Sequence, residues 1–225
     1  TFMFKAGALK MASDLGIMIL APDTSPRGDN VPDDENGAYD FGLGAGFYVN
    51  ATKSPWQTHY NMYDYVTKEL PGIITSNFNV DKSRFGIFGH SMGGHGALTI
   101  GLRNPDLYRS ISAFAPICNP MNCPWGTKAL GNYLGDNSSA WSEYDATEIV
   151  LAGNYGSPQN LIRIDQGLAD EFLERELNTD KFEQACKDSE LAVDIHRHVG
   201  HGHGYYFIST FIDDHLQHHA KYLCN

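Results

Sequence analysis

Arg84-Phe85-Gly86-Ile87-Phe88-Gly89-His90-Ser91-Met92-Gly93-Gly94 decides the fold. The apolar run after the Asp81-Lys82-Ser83 turn predicts a buried strand. That strand feeds straight into Gly89-His90-Ser91-Met92-Gly93, a G-x-S-x-G pattern, and a helix is expected from about Gly94 to Arg103. A strand, a tight turn and a helix in this order hold a serine hydroxyl outward. The first N–H groups of the helix then point at developing negative charge. Ser91 is the candidate nucleophile and Met92 the candidate oxyanion donor.

Outward from this segment the chain alternates. Helical spacing of apolar residues predicts helices over 5–15, 60–70, 181–189 and 205–222, with Pro71 bending or ending the second of them nearby. Short apolar runs predict strands over 17–21, 110–115, 161–164 and 192–199. Such alternation predicts an α/β fold over 1–225, with a mostly parallel sheet covered by helices on both faces. Two excursions interrupt it. Residues 23–56 are rich in Gly, Pro, Asn and Asp, and 118–147 are rich in Pro, Gly and Trp, which places the second above the sheet as part of a binding surface.

Composition narrows the partners. Lys and Arg total 16 against 27 Asp and Glu, a formal charge of −11, and no basic cluster interrupts the acidic balance. Nucleic acid and anionic membranes both call for a concentrated positive face, so neither is expected as a partner. No apolar run approaches the ~20 residues that span a bilayer, which predicts a soluble protein. The first residues lack both an initiator Met and the regions of a secretory signal. Four cysteines, irregularly spaced, do not form a disulfide scaffold, and reduced thiols in a cytoplasmic setting are expected.

A serine nucleophile needs a base, and the base needs an orienting acid, in the chain order Ser, Asp, His for this type of fold. The strand over 161–164 is followed by Asp165, Asp170 and Glu171. Asp165 stays close to the strand, whereas Asp170 lies on the loop that reaches a neighbouring histidine, so Asp170 is favoured. Of ten histidines, His201 and His203 occupy the glycine-rich loop between the last strand and last helix. His203, immediately before the closing helix, is the better base, with His201 the alternative. Metal chemistry is not expected, because His215, His218 and His219 mix with Asp213, Asp214 and Gln217 on what reads as a solvated helix face. Gly42-x-Gly44-x-Gly46 has no preceding strand and no following Lys-Ser/Thr helix, and reads as a loop rather than a phosphate cradle.

Several blocks closely resemble the S-formylglutathione hydrolase (esterase D) family: Ala21-Pro22-Asp23-Thr24-Ser25-Pro26-Arg27-Gly28, Gly89-His90-Ser91-Met92-Gly93-Gly94-His95-Gly96-Ala97, Cys123-Pro124-Trp125-Gly126 and Ile164-Asp165-Gln166-Gly167. The match spans nearly the whole chain. It implies an α/β-hydrolase fold and hydrolysis of S-formylglutathione to glutathione and formate in formaldehyde detoxification, without a cofactor. It also implies Ser91, Asp170 and His203 as the triad. A small-molecule substrate is the expected partner, and homodimerisation is left open.

The sequence departs from the family at two points. Gly202 and Gly204 stand where the family has an Asp before and a Ser after its histidine. The chain also starts after the family's first strands and the loop that supplies a second oxyanion N–H, an N-terminal truncation expected to expose apolar surface on the remaining sheet. Glutathione is anionic, so Arg27, Lys53 and Lys128 are candidate contacts, with Trp125 as an apolar wall. The same triad would serve a general short-chain carboxylesterase or thioesterase, and the missing oxyanion segment raises a catalytically silent fragment as the other alternative.

Overall fold

The computed structural model describes residues 1–156 and 161–224. Its centre is a four-stranded sheet of β1 (Phe85–His90), β2 (Tyr108–Phe114), β3 (Ile162–Gly167) and β4 (Val193–His198), in the order β1-β2-β3-β4 with every pair parallel. Parallel neighbours require crossovers, and helices supply them. α1 (Leu9–Leu15) and α2 (Leu70–Asn77) precede the sheet. α3 (Met92–Arg103) joins β1 to β2, and α4 (Pro124–Leu134) and α5 (Ala146–Leu151) lie between β2 and β3. α6 (Thr179–Asp188) precedes β4, and α7 (Tyr205–Leu223) closes the chain.

Apolar clusters follow from this layering. One holds Leu98 and Leu102 of α3 with Ile111, Ala113, Ile162, Ile164 and Phe182. Another joins Phe114, Phe207, Ile212 and Leu216 to the first excursion, through Phe41, Phe47, Val49, Trp56 and Tyr60. The 42–46 loop is braced by Tyr133, whose hydroxyl donates to the Ala45 carbonyl at 2.7 Å and accepts the Gly42 N–H at 3.1 Å. A Cβ on Gly44 would strike the Tyr39 carbonyl, so the loop's glycines serve close packing.

Several expectations are corrected. Among the described residues, 17–21 form no strand, because they pair with no neighbouring strand: across from them is the edge of β1, and the two walls face one another over an apolar groove of about 1050 Å³. Met18 and Leu20 are about half exposed on that segment. The first predicted helix is split at Gly7, whose φ of 76° is left-handed. Pro71 ends nothing. The chain is helical over 62–77, and a π-helical turn at Tyr65–Glu69 immediately before the proline shifts the hydrogen-bond ladder that its missing N–H would interrupt.

The second excursion is largely helical. Cys123 caps α4 with Pro124 at its first position, and Asp145 caps α5 by accepting the Glu148 N–H at 3.1 Å. β3 runs on through Gly167, so Asp165 sits inside the sheet opposite His196 rather than beyond its end. The supposed solvated face of the last helix is its inner face: His215, His218 and His219 are all buried.

Candidate active site

β1 delivers its chain to Ser91 in a conformation few non-glycine residues adopt, φ 58° and ψ −117°. Three backbone bonds fix it. The Ser91 N–H donates to Phe114 O at 2.9 Å, and Ser91 O accepts from the His95 N–H at 2.9 Å and the Ile117 N–H at 3.2 Å. The glycines flanking the turn have distinct reasons. A Cβ on Gly89 would collide with the Gly93 carbonyl, and one on Gly94 would sit 2.8 Å from Pro116 Cβ, whereas one on Gly93 would make only ordinary contact with the Tyr48 hydroxyl at 4.0 Å. Met92 is the first residue of α3, so its N–H has no acceptor within the helix. That donor lies where the helix dipole favours negative charge.

Asp170 follows β3 on a tight loop, and its carboxylate is fully buried. One oxygen accepts from the Phe172 N–H at 2.9 Å, and the other lies 2.6 Å from His203 Nδ1 and 3.4 Å from Gln166 Nε2. Gln166 is held in turn by Thr179 Oγ1 at 2.9 Å. The loops after β3 and β4 are laced together by the Ala169 N–H to His201 O and the Leu168 N–H to His198 O, both 2.9 Å. His203 is thereby placed over the end of the sheet. Its ring centroid lies 4.4 Å from that of His90, the residue before Ser91, and 4.9 Å from Phe172. Among the described residues Ser91 Oγ has no hydrogen-bonded partner, and its link to the His203–Asp170 pair runs through the neighbouring His90 ring. Nucleophile–base contacts often tighten only with substrate.

The alternatives are occupied elsewhere. His201 packs on His198, Phe207 and Phe211, with ring centroids 5.9, 5.9 and 5.1 Å away. Asp165 is committed to Arg163 at 2.7 Å, His198 at 2.7 Å and His215 at 2.9 Å. Burial pushes its carboxyl up, but these hydrogen bonds outweigh that and hold it well below the usual carboxylate range. Among the described residues no group of three or more His, Cys, Asp or Glu side chains is arranged to hold a metal.

Ser91 and Met92 line the apolar groove of about 1050 Å³, whereas a second cleft of about 550 Å³, reached from His203 through Phe172, is lined by Tyr39, Asp40, Trp125, Lys128, Glu171, Phe172, Arg175 and Glu176. Trp125 and Phe172 pack together at 4.8 Å, and Tyr39 meets Trp125 edge-on at 6.2 Å. Lys128 is paired with Asp40 at 2.6 Å. Arg27 is not among the residues lining this cleft; its guanidinium is bound to Asp23 at 3.0 Å and to the Leu43 carbonyl. Lys53 is exposed and likewise not among the lining residues. Arg175 and Phe172 escaped the sequence reading, because nothing in a π-helical turn at Leu173–Leu177 marks it from sequence as a cleft wall.

A parallel sheet, a strained serine between strand and helix, and a buried acid–imidazole pair on the loops after later strands define a serine esterase of the α/β-hydrolase class. The Esterase family model, described as "Putative esterase", matches residues 2–218. S-formylglutathione hydrolase from Rattus norvegicus is 55% identical over 99% of this chain and 78% of its own length; the protein of that name from Arabidopsis thaliana is also 55% identical, over 77% of its length. The solved structure of an S-formylglutathione hydrolase from Agrobacterium tumefaciens superposes with a TM-score of 0.94 at 50% identity, covering 99% of this chain and 79% of that one. The chain belongs to the S-formylglutathione hydrolase family of esterases.

Proposed function

We propose that this chain hydrolyses S-formylglutathione, with Ser91 as nucleophile, His203 as general base and acid, and Asp170 as the orienting carboxylate. The observation that carries the reading is the 2.6 Å contact between His203 Nδ1 and the buried Asp170 carboxylate, on a ring that touches the residue before the strained serine. His203 Nε2 takes the Ser91 proton as Oγ bonds to the formyl carbon, and the Asp170 charge stabilises the imidazolium. The Met92 N–H faces the oxyanion. The carbon–sulfur bond breaks, His203 returns the proton to the departing thiolate, and a formyl ester remains on Ser91. Water then attacks that ester with His203 again taking the proton, releasing formate and restoring Ser91.

The cleft behind Phe172, which packs on His203, supplies a place for the glutathionyl group. Trp125 and Phe172 offer an apolar wall, and Lys128 and Arg175, now paired with Asp40 and Glu176, would exchange those partners for its carboxylates. Arg27, which does not line this cleft, has no part in this reading. The setting proposed is cytoplasmic; among the described residues no helix is long and apolar enough to cross a membrane. A fluorophosphonate probe tests the nucleophile directly. Mass mapping should place one adduct on Ser91 and none on Ser91→Ala, and an adduct elsewhere would reject the assignment.

A further inference from the structure

His203 sits between Gly202 and Gly204, neither of which has a side chain to brace it, yet it must hold its ring steady through two proton transfers. Its one side-chain hydrogen bond among the described residues is to Asp170 through Nδ1. A single bond to one ring nitrogen leaves the imidazole free to swing about that contact. Two other rings limit the swing. Phe172 meets it edge-on at 4.9 Å and 76°, and His90 meets it at 4.4 Å and 48°.

Both neighbours are themselves anchored. Phe172 packs on Trp125, and its N–H holds the second oxygen of Asp170. His90 is the last residue of β1, paired to Phe114 in the sheet and adjacent in sequence to Ser91, so its backbone is fixed with that of Ser91. Its Nε2 is buried with no partner in good hydrogen-bond geometry, and the ring is held by packing together with a polar contact to the His203 backbone. Burial, and then the neighbouring charge of His203, push its pKa down to about 3, so it stays a neutral ring beside the base.

We infer that His90 is a positioning residue: with Phe172 it clamps the His203 ring by aromatic packing, and it ties the orientation of the base to the backbone that carries the nucleophile. This rests on the reading of His203 as the base. A clamp of this kind acts on the geometry of proton transfer, not on substrate affinity. Small misplacement of a reacting group can cost about 10²-fold in rate.

The test compares His90→Ala, which removes the ring, with His90→Phe, which keeps an aromatic ring and removes both nitrogens. Two readouts are used: kcat and KM on S-formylglutathione, and the low-field proton NMR resonance of the His203–Asp170 hydrogen bond without substrate. Thermal melts confirm that each variant is folded. In His90→Ala, kcat should fall about 10- to 100-fold with KM within twofold, and the low-field resonance should broaden or vanish. In His90→Phe, kcat should stay within about threefold of the parent with the resonance retained. A folded His90→Ala with parental kcat and resonance overturns the inference, as does a His90→Phe impaired as deeply as His90→Ala. If the parent chain does not turn over S-formylglutathione, the function fails, and the NMR comparison still decides the clamp.

Discussion

His215 Nε2 lies 2.9 Å from Asp165 Oδ2, and neither side chain reaches solvent. His215 passes the connection on to Ser112 Oγ at 2.8 Å, and Ser112 meets His219 Nε2 at 2.8 Å, so polar groups of β2, β3 and α7 are joined beneath the sheet. This network, and not the acid–imidazole pair beside Ser91, absorbs the first carboxylate after Ile164. The two aspartates should therefore separate stability from catalysis. Asp165→Asn leaves Arg163 and two imidazoles short of a buried anion and should cost about 3–5 kcal/mol in urea unfolding, with kcat of the folded fraction within a few fold. Asp170→Asn should melt near the parent and lose about 10³- to 10⁴-fold in kcat. The reverse pattern would exchange their roles.

Acid should weaken the fold earlier than carboxylate protonation alone would. Burial pushes His95 and His218 down to about 4 and His90 to about 3. Each is neutral when folded and takes a proton near its ordinary pKa when unfolded. Their stabilisation is therefore full above about pH 6.5 and is lost as pH falls toward 4, by about 1.4 kcal/mol per pH unit for each group. Asp145 works the other way: burial raises it to about 6, so it binds a proton first in the folded state and offsets one histidine below that pH. Urea midpoints measured from pH 7 to pH 5 should fall steadily, with net proton uptake on unfolding. A flat profile would contradict the buried histidines.

Gly167 ties the last loop to the sheet. A Cβ there would collide with the His201 carbonyl, the group that accepts the Ala169 N–H. Gly167→Ala should displace the 201–203 loop and lower kcat by about 10²-fold while the protein still melts cooperatively. Unchanged kcat would show that the loop accommodates the methyl without moving His203.

Charge in the cleft should appear in KM. Removing Lys128 and Arg175 together by alanine should raise KM for S-formylglutathione several-fold with kcat little changed, whereas Arg27→Ala should leave both constants alone. Lys128→Ala also frees Asp40, so Asp40→Asn is the control for that partner. A further check is acyl size: rates should fall sharply from acetyl to butyryl esters, because a formyl group calls for a small acyl site. Equal rates along that series would favour a broad carboxylesterase.

How much of this was legible in the sequence depended on whether a signal was local. Gly89-His90-Ser91-Met92-Gly93 carries its own turn chemistry, so strand, serine and helix are found where the pattern places them. The preference for Asp170 and His203 used only position relative to strand ends, and the structure brings those two side chains into contact. What failed depended on distant partners. Residues 17–21 have a strand's composition, but a strand needs a neighbour, and the edge of β1 lies across a groove. His215, His218 and His219 look like a polar face beside Asp213 and Asp214, and only their partners Asp165, Ser110, Ser112 and the Ile111 carbonyl explain their burial. Arg27 has the charge and loop position of a substrate contact, and its commitments to Asp23 and the Leu43 carbonyl are visible only in the fold.

The most direct test is S-formylglutathione hydrolysis by the purified 225-residue chain beside Ser91→Ala, with intact mass confirming both proteins. The account predicts turnover by the parent and its loss, by several orders of magnitude, in the variant. A parent chain that melts cooperatively yet shows no turnover, or a Ser91→Ala protein that retains parental rates, would contradict it.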